Sequence, residues 1–276
     1  MPRTTSSAPK KRNTRTSGAV SRATGTLGKL LEVLQAIADA DRPPRFTDLL
    51  ESIAQPRGTL HRHVRHLVAE GLVIGGGDRP YELGPRFLRL AAQSWSKNRF
   101  RSLAEPFLRE VHENSGETIH LGLLNGTEVI YVDKIESRQA VRMHSQVGRA
   151  SPAYCTGIGK AALSTLAAAD LKQVVSQFHF VRYTPNTIQT QAALLKEIDR
   201  IRRSGIAEDR EEHELGIRCV AAPIAGPHGR FAAGLSVTAP AYRVGRREIA
   251  HWSKWVRKAA QAIELALDSG LGPRDS

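Results

Sequence analysis

The chain has 276 residues, and at roughly 100 to 200 residues per domain this length predicts two domains. Its 41% hydrophobic and 24% charged residues exclude disordered, collagen-like and coiled-coil classes for most of the chain. Because no run of about 18 apolar residues and no apolar leader occurs, we expect a cytoplasmic protein with no membrane partner. The two cysteines, Cys155 and Cys219, are too few for a disulfide framework or a structural zinc site, so no metal or other cofactor is expected.

The net charge of +13 is unevenly distributed along the chain. Residues 1–100 hold 17 Lys and Arg against 8 Asp and Glu, a net of +9, while residues 101–276 hold 23 against 19, a net of +4. A basic domain joined to a nearly balanced one is typical of a polyanion-binding module linked to a module with another task. The alternative is a solubilising tail with ordinary surface charge. Residues 1–23 carry six basic side chains and no acid, which predicts a disordered basic arm.

Residues 24–84 have the pattern of a winged helix-turn-helix domain. The first helix ends near Ala40, the second begins after Thr47, whose side chain can cap the free amides, and the third runs from Pro56 to the stop at Gly71. Apolar residues at helical spacing are expected to face the core: Leu27, Leu30, Leu31, Leu34 and Ile37 in the first helix, and Leu60, Val64, Leu67 and Val68 in the third. The last two helices, joined by a tight turn, have the outline of a helix-turn-helix.

The outward face of the third helix is basic and rich in hydrogen-bonding groups. No acid occurs between Arg57 and Ala69, whereas a solvated face normally mixes acidic and basic residues. A glycine-rich hairpin with Arg79 at its tip follows as a wing, and residues 85–100 are expected to form a linker helix. Double-stranded DNA is therefore the expected partner, with contacts from Thr47, Arg57, Gly58, Thr59, His61, Arg62, Arg65 and Arg79.

Residues 101–270 favour an α+β domain. Thr118–Leu124 and Glu128–Ile135 alternate around Asn125-Gly126, a strong hairpin signal. Further strands are predicted at residues 140–146, 218–224 and 231–238, and helices at residues 102–114, 159–166, 170–178, 191–204 and 246–267. Antiparallel strands with helices beside them make up this fold class.

The order of helix, helix-turn-helix, wing and linker helix resembles the DNA-binding domain of the IclR family of bacterial transcriptional regulators. Residues 205–224 follow that family's signature, with Gly205, Asp209, Glu212 and Cys219 in the expected order. The departure lies at the end of the signature: Ala225-Gly226 stands where family members usually have an aromatic residue followed by Asp or Asn. The resemblance covers about residues 24–268.

The resemblance implies a C-terminal sheet domain similar to GAF and PAS sensors, which binds an effector and forms oligomers. It implies a homodimer or dimer of dimers on operator DNA, acting as the repressor of a catabolic operon controlled by a small organic acid. The effector-binding residues that follow from it are Ser151, Pro152, Thr156, Gly157, Asp209, Cys219, Ser236 and Thr238.

The alternatives to an acid-controlled regulator are a redox-sensing regulator and an enzyme. A thiol-based redox-sensing regulator would use Cys155 or Cys219, since Cys155 lies beside a predicted helix start, where a thiolate is favoured. An enzyme is not expected, because no base has a fixed place next to a nucleophile and no pair of metal ligands has support. No catalytic residue is therefore assigned.

Overall fold

The structure is a computed structural model that describes residues 25–139 and 145–269. Contacts divide the chain into two compact units, with the division between Ala92 and Gln93. The expected basic arm at residues 1–23 lies outside the described residues, as does most of the strand expected at residues 140–146. Within the described residues, no helix is both long and apolar enough to cross a bilayer.

In the N-terminal unit three helices pack on a short hairpin. They are α1 (Gly25–Ala38), α2 (Phe46–Ser52) and α3 (Arg57–Ala69), followed by β1 (Val73–Gly76) and β2 (Arg79–Leu83). The core contains part of the stripe expected from the sequence, with Leu34 and Ile37 of α1 packed against Leu60 and Leu67 of α3. Gly75 of β1 has a φ of +113°, and its close approach to the carbonyl of Pro80 leaves no room for a side chain.

Several local expectations for this unit are wrong. Thr47 is not the cap of α2, because the helix begins at Phe46, two residues earlier than expected, and the Asp48 carboxylate accepts a hydrogen bond from the Arg45 amide at 2.8 Å. Leu27 and Leu31 are exposed, and Val33 takes their place in the core. Val68 is also exposed, because it lies at the edge of the stripe formed by Leu60, Val64 and Leu67.

The turn between α2 and α3 is held by Gln55. Its amide nitrogen donates to the Lys29 carbonyl at 3.1 Å and to the Glu32 carboxylate at 2.7 Å. Its amide oxygen lies 2.8 Å from Nδ1 of His63, which is buried on the inner face of α3. Burial lowers the pKa of His63, with help from the positive charges of Arg62 and Lys29, so the ring is neutral and fits this network. Gln55 therefore joins α1 to α3.

The C-terminal unit is a six-stranded antiparallel sheet with helices on both faces. Its strands, in the order β5-β4-β3-β8-β7-β6, are β3 (Thr118–Asn125), β4 (Glu128–Ile135), β5 (Ala150–Pro152), β6 (Ala207–Arg210), β7 (Ile217–Ala225) and β8 (Ala232–Pro240). The helices are α4 (Pro85–Ser96), within which the two units divide, α5 (Arg99–Ser115), α6 (Gly157–Ser164), α7 (Ala168–Val175), α8 (Gln191–Ser204) and α9 (Arg246–Asp268). This arrangement confirms the α+β class.

Alternation along the central strands separates the two faces of the sheet. Val220 and Ala222 belong to the core that includes α5 and α9, while Ala221 belongs to the core of α6, α7 and α8. The linker helix expected at residues 85–100 ends earlier, at Ser96, because Asn98 caps α5 by accepting a hydrogen bond from the Arg101 amide at 3.0 Å. The short edge strands β5 and β6 were not predicted from the sequence.

A buried ion pair ties α6 to the loop that follows β6. Lys160 of α6 is fully buried, and its ammonium group donates to the Glu212 carboxylate. The carbonyl of Glu212 accepts hydrogen bonds from the hydroxyls of Thr187, at 2.7 Å, and Thr184, at 3.3 Å. The pair thus fixes two segments that are 52 residues apart in the sequence.

We expect Gln55→Ala to lower the local free energy of unfolding of the N-terminal unit by about 1–3 kcal/mol, because His63 loses its buried partner. Native-state hydrogen exchange of the α3 amides measures this loss. The control is Gln35→Ala, which removes only an exposed bond to Asp39. Equal exchange rates in the two variants would contradict the role given to Gln55.

Lys160→Met or Glu212→Leu alone should each destabilise the C-terminal unit by about 3–5 kcal/mol, because either change leaves a buried charge without its partner. The double variant should lose less than either single variant. Tryptophan fluorescence monitored during denaturation reports the unfolding of this unit, since Trp95, Trp252 and Trp255 all lie beyond residue 92. A loss of stability in the double variant equal to the sum of the two single losses would rule out coupling between Lys160 and Glu212.

Candidate functional site

The exposed face of α3 presents a basic surface in the N-terminal unit. Arg57, Arg62 and Arg65 are all exposed, and the N-terminal turn is open at Gly58, where a Cβ would meet no atom within 4 Å. Of the remaining expected DNA contacts, His61 and Thr47 are exposed and Thr59 is half-buried. Arginine side chains next to an open first helical turn suit the floor of a major groove, where Arg bonds to guanine.

Two details of this surface come from the structure alone. The ring of His61 packs edgewise on Phe46 of α2, with 5.6 Å between centroids, which fixes the direction of the imidazole. Arg79 is the first residue of β2 and is exposed; it directly follows the two-residue turn Gly77-Asp78 and pairs with Gly76 of β1.

In the C-terminal unit, a cavity of about 560 Å³ lies on the α6 side of the sheet. Seven of the eight expected effector residues line it: Ser151, Thr156, Gly157, Asp209, Cys219, Ser236 and Thr238. Pro152 is not among the lining residues; its carbonyl instead accepts a hydrogen bond from the Thr156 hydroxyl at 2.9 Å. The cavity therefore brings together residues from β5, α6, β6, β7 and β8.

The first turn of α6 lies directly against β7. A Cβ on Gly157 would collide with the sulfur of Cys219, and one on Gly159 would collide with the backbone of Ala153. Thr156 caps the helix, because its hydroxyl accepts a hydrogen bond from the Gly159 amide at 3.3 Å. Glycine at these positions lets the unpaired amides of a helix N-terminus approach the cavity, which is a favourable place for an anion.

Asp209 is the most unusual carboxyl group of the cavity. It is buried, and one of its oxygens accepts a hydrogen bond from the Glu212 amide at 2.7 Å. Burial raises the pKa of Asp209 to about 7, and the nearby Glu212 carboxylate opposes its ionisation further. Near neutral pH this group can therefore donate a hydrogen bond as an acid or accept one as a carboxylate.

His120 lies at the other side of the cavity, on β3. Its Nε2 is 2.7 Å from the Ser145 hydroxyl, and its Nδ1 is 3.2 Å from the Thr238 hydroxyl. Burial and the positive charge of Lys134 lower the pKa of His120 to about 3, so the ring is neutral. The ring of Tyr131 packs beside it at 4.9 Å, and burial raises the pKa of that phenol to about 12.

Both cysteines are buried thiols. Burial raises the pKa of Cys219 to about 12 and raises the pKa of Cys155 further above its ordinary value, with Asp209 adding to both shifts. A redox sensor needs an accessible thiolate, because the thiolate is the reacting species. The structure therefore gives no support to the redox alternative, although Cys219 does line the cavity.

Sequence reasoning missed part of the lining. The additional residues are His120, Tyr131, Ser145, Gln146, Arg149, Ile158, His213, Glu214 and Ile217. His120 carried a usable signal, because a histidine inside the otherwise apolar strand pattern of residues 118–124 is a polar group that needs a buried partner. Apart from Tyr131 in β4 and Ile158 in α6, the others lie in loops or at a strand end, where no periodicity shows which way a side chain points.

Comparison with known proteins identifies the family. The C-terminal model of the IclR family of bacterial transcriptional regulators matches residues 92–265, and the IclR helix-turn-helix model matches residues 26–74. The chain is 31% identical over 240 residues to the HTH-type transcriptional regulator KdgR of Escherichia coli K12, covering 87% of this chain and 91% of the relative. It is 27% identical to the transcriptional repressor IclR of the same organism, covering 94% and 96%.

A solved structure shows a similar fold with a bound small molecule. It is an IclR homolog from Microbacterium hydrocarbonoxydans in complex with 4-hydroxybenzoate, and it is 25% identical with a TM-score of 0.72, covering 89% of this chain and 100% of that one. These relatives are regulators, not enzymes. The chain belongs to the IclR family of transcriptional regulators, with a DNA-binding helix-turn-helix domain and a C-terminal ligand-binding domain.

Proposed function

We propose that this regulator represses a catabolic operon and is controlled by a small organic acid that binds the cavity of the C-terminal unit. The observation that carries the proposal is the convergence on one cavity of residues from the Thr156 loop, β6, β7 and β8, which are far apart in sequence. The repressor relative and the homolog that binds 4-hydroxybenzoate support both halves of the proposal.

An acid fits the chemistry of the cavity. Arg149 lines it and supplies a positive charge, while the first turn of α6 supplies backbone amides. Asp209 is half protonated near pH 7 and can donate a hydrogen bond to a carboxylate in its acid form. We assign ligand contacts to Ser151, Thr156, Gly157, Asp209, Cys219, Ser236 and Thr238, with Arg149 added.

On DNA, the protein is proposed to act as a homodimer or a dimer of dimers on a pseudo-palindromic operator. Two copies of α3 would then enter successive major grooves, one helical turn of DNA apart. For the acid to release the operator, it must bind one arrangement of the DNA-binding domains more tightly than the other, since equal affinity shifts no equilibrium.

The direct test is a mobility-shift assay with the full chain and the intergenic DNA upstream of its own gene. It is run across a salt series and repeated with a panel of small organic acids. The proposal requires a sequence-specific complex that an acid weakens. A specific complex that no acid weakens, or the absence of any specific complex, would overturn the proposal.

Arg62→Ala should weaken specific operator binding by about 1–3 kcal/mol and relax the sequence preference, because Arg62 is at the centre of the exposed face of α3. Fluorescence anisotropy with operator and scrambled DNA measures both effects. The control, Arg230→Ala, removes the same charge from an exposed turn of the C-terminal unit. An equal loss of affinity in both variants would mean that only net charge matters.

Affinity for an acid should fall as pH rises from 6 to 8. The bound carboxylate favours protonated Asp209, whose pKa is raised to about 7, so binding is strongest below that value and weakens by up to about tenfold per pH unit above it. His120, Tyr131 and Cys219 keep their protonation states over this range, because their pKa values are about 3, 12 and 12.

Calorimetry with the tightest-binding acid of the panel measures this dependence. Acids with pKa values near 4 are ionised throughout the range, so the ligand itself contributes no slope. Asp209→Asn should bind with an affinity that is nearly independent of pH. A slope that persists in this variant would assign the titration to another group.

A further inference from the structure

The last turn of α4 is attached to strand β4 through Trp95. The indole N–H donates a hydrogen bond to the carbonyl of Val132 at 3.1 Å, although the tryptophan is 42% exposed. A tryptophan N–H needs a protein partner when it is buried, whereas water can serve it at an exposed position. The bond therefore fixes the position of α4 rather than satisfying a buried donor.

Arg101, in the first turn of α5, holds the same tryptophan. Its guanidinium lies over the Trp95 ring, 3.6 Å from the centroid, where a planar cation stacks well. The Nε of Arg101 is 3.1 Å from Oδ2 of Asp133, in an ion pair whose direction does not make a hydrogen bond. Val132 and Asp133 are thus both in contact with the corner between α4 and α5.

The point of attachment on β4 is a β-bulge. Leu121 of β3 pairs with Asp133, and the next residue, Gly122, pairs with Tyr131, so Val132 has no partner residue on β3. A bulge leaves its extra residue unpaired and disrupts the hydrogen-bond ladder locally. The carbonyl that accepts the indole N–H therefore belongs to a residue that the pairing with β3 does not hold.

The residue before the bulge forms part of the cavity wall. Tyr131 lines the cavity; its amide donates to the Arg149 carbonyl at 3.1 Å, and its carbonyl accepts from the Gly148 amide at 2.8 Å. Arg149 and Ser151 line the same cavity. A ligand that contacts this wall therefore acts on β4 one residue away from the attachment of α4.

We propose that Trp95 and Arg101 are positioning residues that couple ligand binding in the cavity to α4. This helix begins at Pro85 in the N-terminal unit, and its last turn belongs to the C-terminal unit. An acid bound against the wall displaces the bulge, and the bulge changes its hold on Trp95. The inference rests on the proposed function, since it requires that an acid in the cavity alters operator affinity.

The bulge suits this role because its contacts are sensitive to small displacements. Val132 has no partner residue on β3, and the ion pair between Arg101 and Asp133 lacks hydrogen-bond geometry, so a shift of β4 strengthens or weakens both contacts with the corner. An acid favours one arrangement of α4 only if the two arrangements differ in such contacts, and this difference is the coupling free energy.

The test compares operator affinity with and without acid, using fluorescence anisotropy, the full chain and the intergenic DNA upstream of its own gene. The probes are aliphatic mono- and dicarboxylic acids of two to six carbons and 4-hydroxybenzoate; the acid with the largest effect on the wild-type complex is used for the variants. In Trp95→Phe, which keeps a ring and loses the N–H, the ratio of the two affinities should fall about two- to tenfold toward one. Arg101→Lys, which keeps the charge and loses the planar stack, should also lower the ratio.

Two matched variants serve as controls and should keep the wild-type ratio. Trp255→Phe changes another tryptophan of the same unit that has a cation over its ring, Lys258 at 5.1 Å. Arg109→Lys changes another arginine of α5, which is paired with Glu105 on the exposed side of that helix.

Linkage supplies a second readout. In the wild type, bound operator should weaken acid binding by the same factor by which the acid weakens operator binding, and calorimetry with and without operator measures this factor. It should be smaller in Trp95→Phe. A variant that has only lost stability would not change it, because both affinities are measured on the folded protein.

A wild-type ratio in Trp95→Phe, or an equal loss of the ratio in the control variants, would overturn the inference and leave the proposed function intact. If Trp95→Phe does not fold, Arg101→Lys decides in the same way. If no acid weakens the operator complex of the wild-type protein, the proposed function and the inference are both overturned.

Discussion

The close contact between the first turn of α6 and strand β7 is the constraint on which the ligand-binding unit depends. Gly157 lies against Cys219 with no room for a Cβ, and one turn later the buried Lys160–Glu212 ion pair holds the same helix to the loop after β6. These contacts place the helix N-terminus over the sheet and leave the cavity beside it. The ion pair also accounts for the chemistry of Asp209, since Glu212 is both its hydrogen-bond donor, through the amide, and the nearby charge that opposes its ionisation.

Charge is used differently in the two units. On α3 it is exposed, where arginine can exchange water and counterions for phosphates and base edges at little cost in desolvation. In the cavity, Asp209 and His120 are buried, and burial moves the pKa of Asp209 up to about 7 and that of His120 down to about 3. Under the proposed function, a half-charged Asp209 accommodates an anion without a fixed negative charge at that position.

The fold followed from local patterns wherever those patterns were strong. The hairpin around Asn125-Gly126, helix α8 and the core stripe of α3 appear within a residue or two of their expected bounds. The expected helix boundaries are wrong where a local hydrogen bond sets a different one. The Asp48 carboxylate, rather than Thr47, bonds at the start of α2, and Asn98 caps α5 so that the linker helix ends early. Strands β5 and β6 are three and four residues long, too short to show alternation, and they exist because a neighbouring strand offers them hydrogen bonds.

By itself the sequence determined the two-unit organisation, the basic character of the N-terminal unit, the family and, through the family resemblance, Asp209 and Cys219 as residues of the cavity. Those properties depend on composition, on periodicity and on a signature contained in about 20 consecutive residues. Tertiary structure alone decided that His120, Ser145 and Thr238 form one hydrogen-bonded chain and that Lys160 meets Glu212. Partners separated by 118 or 52 residues are brought together by strand order and helix packing, and a pattern of neighbouring residues does not encode which of the many distant polar groups will meet.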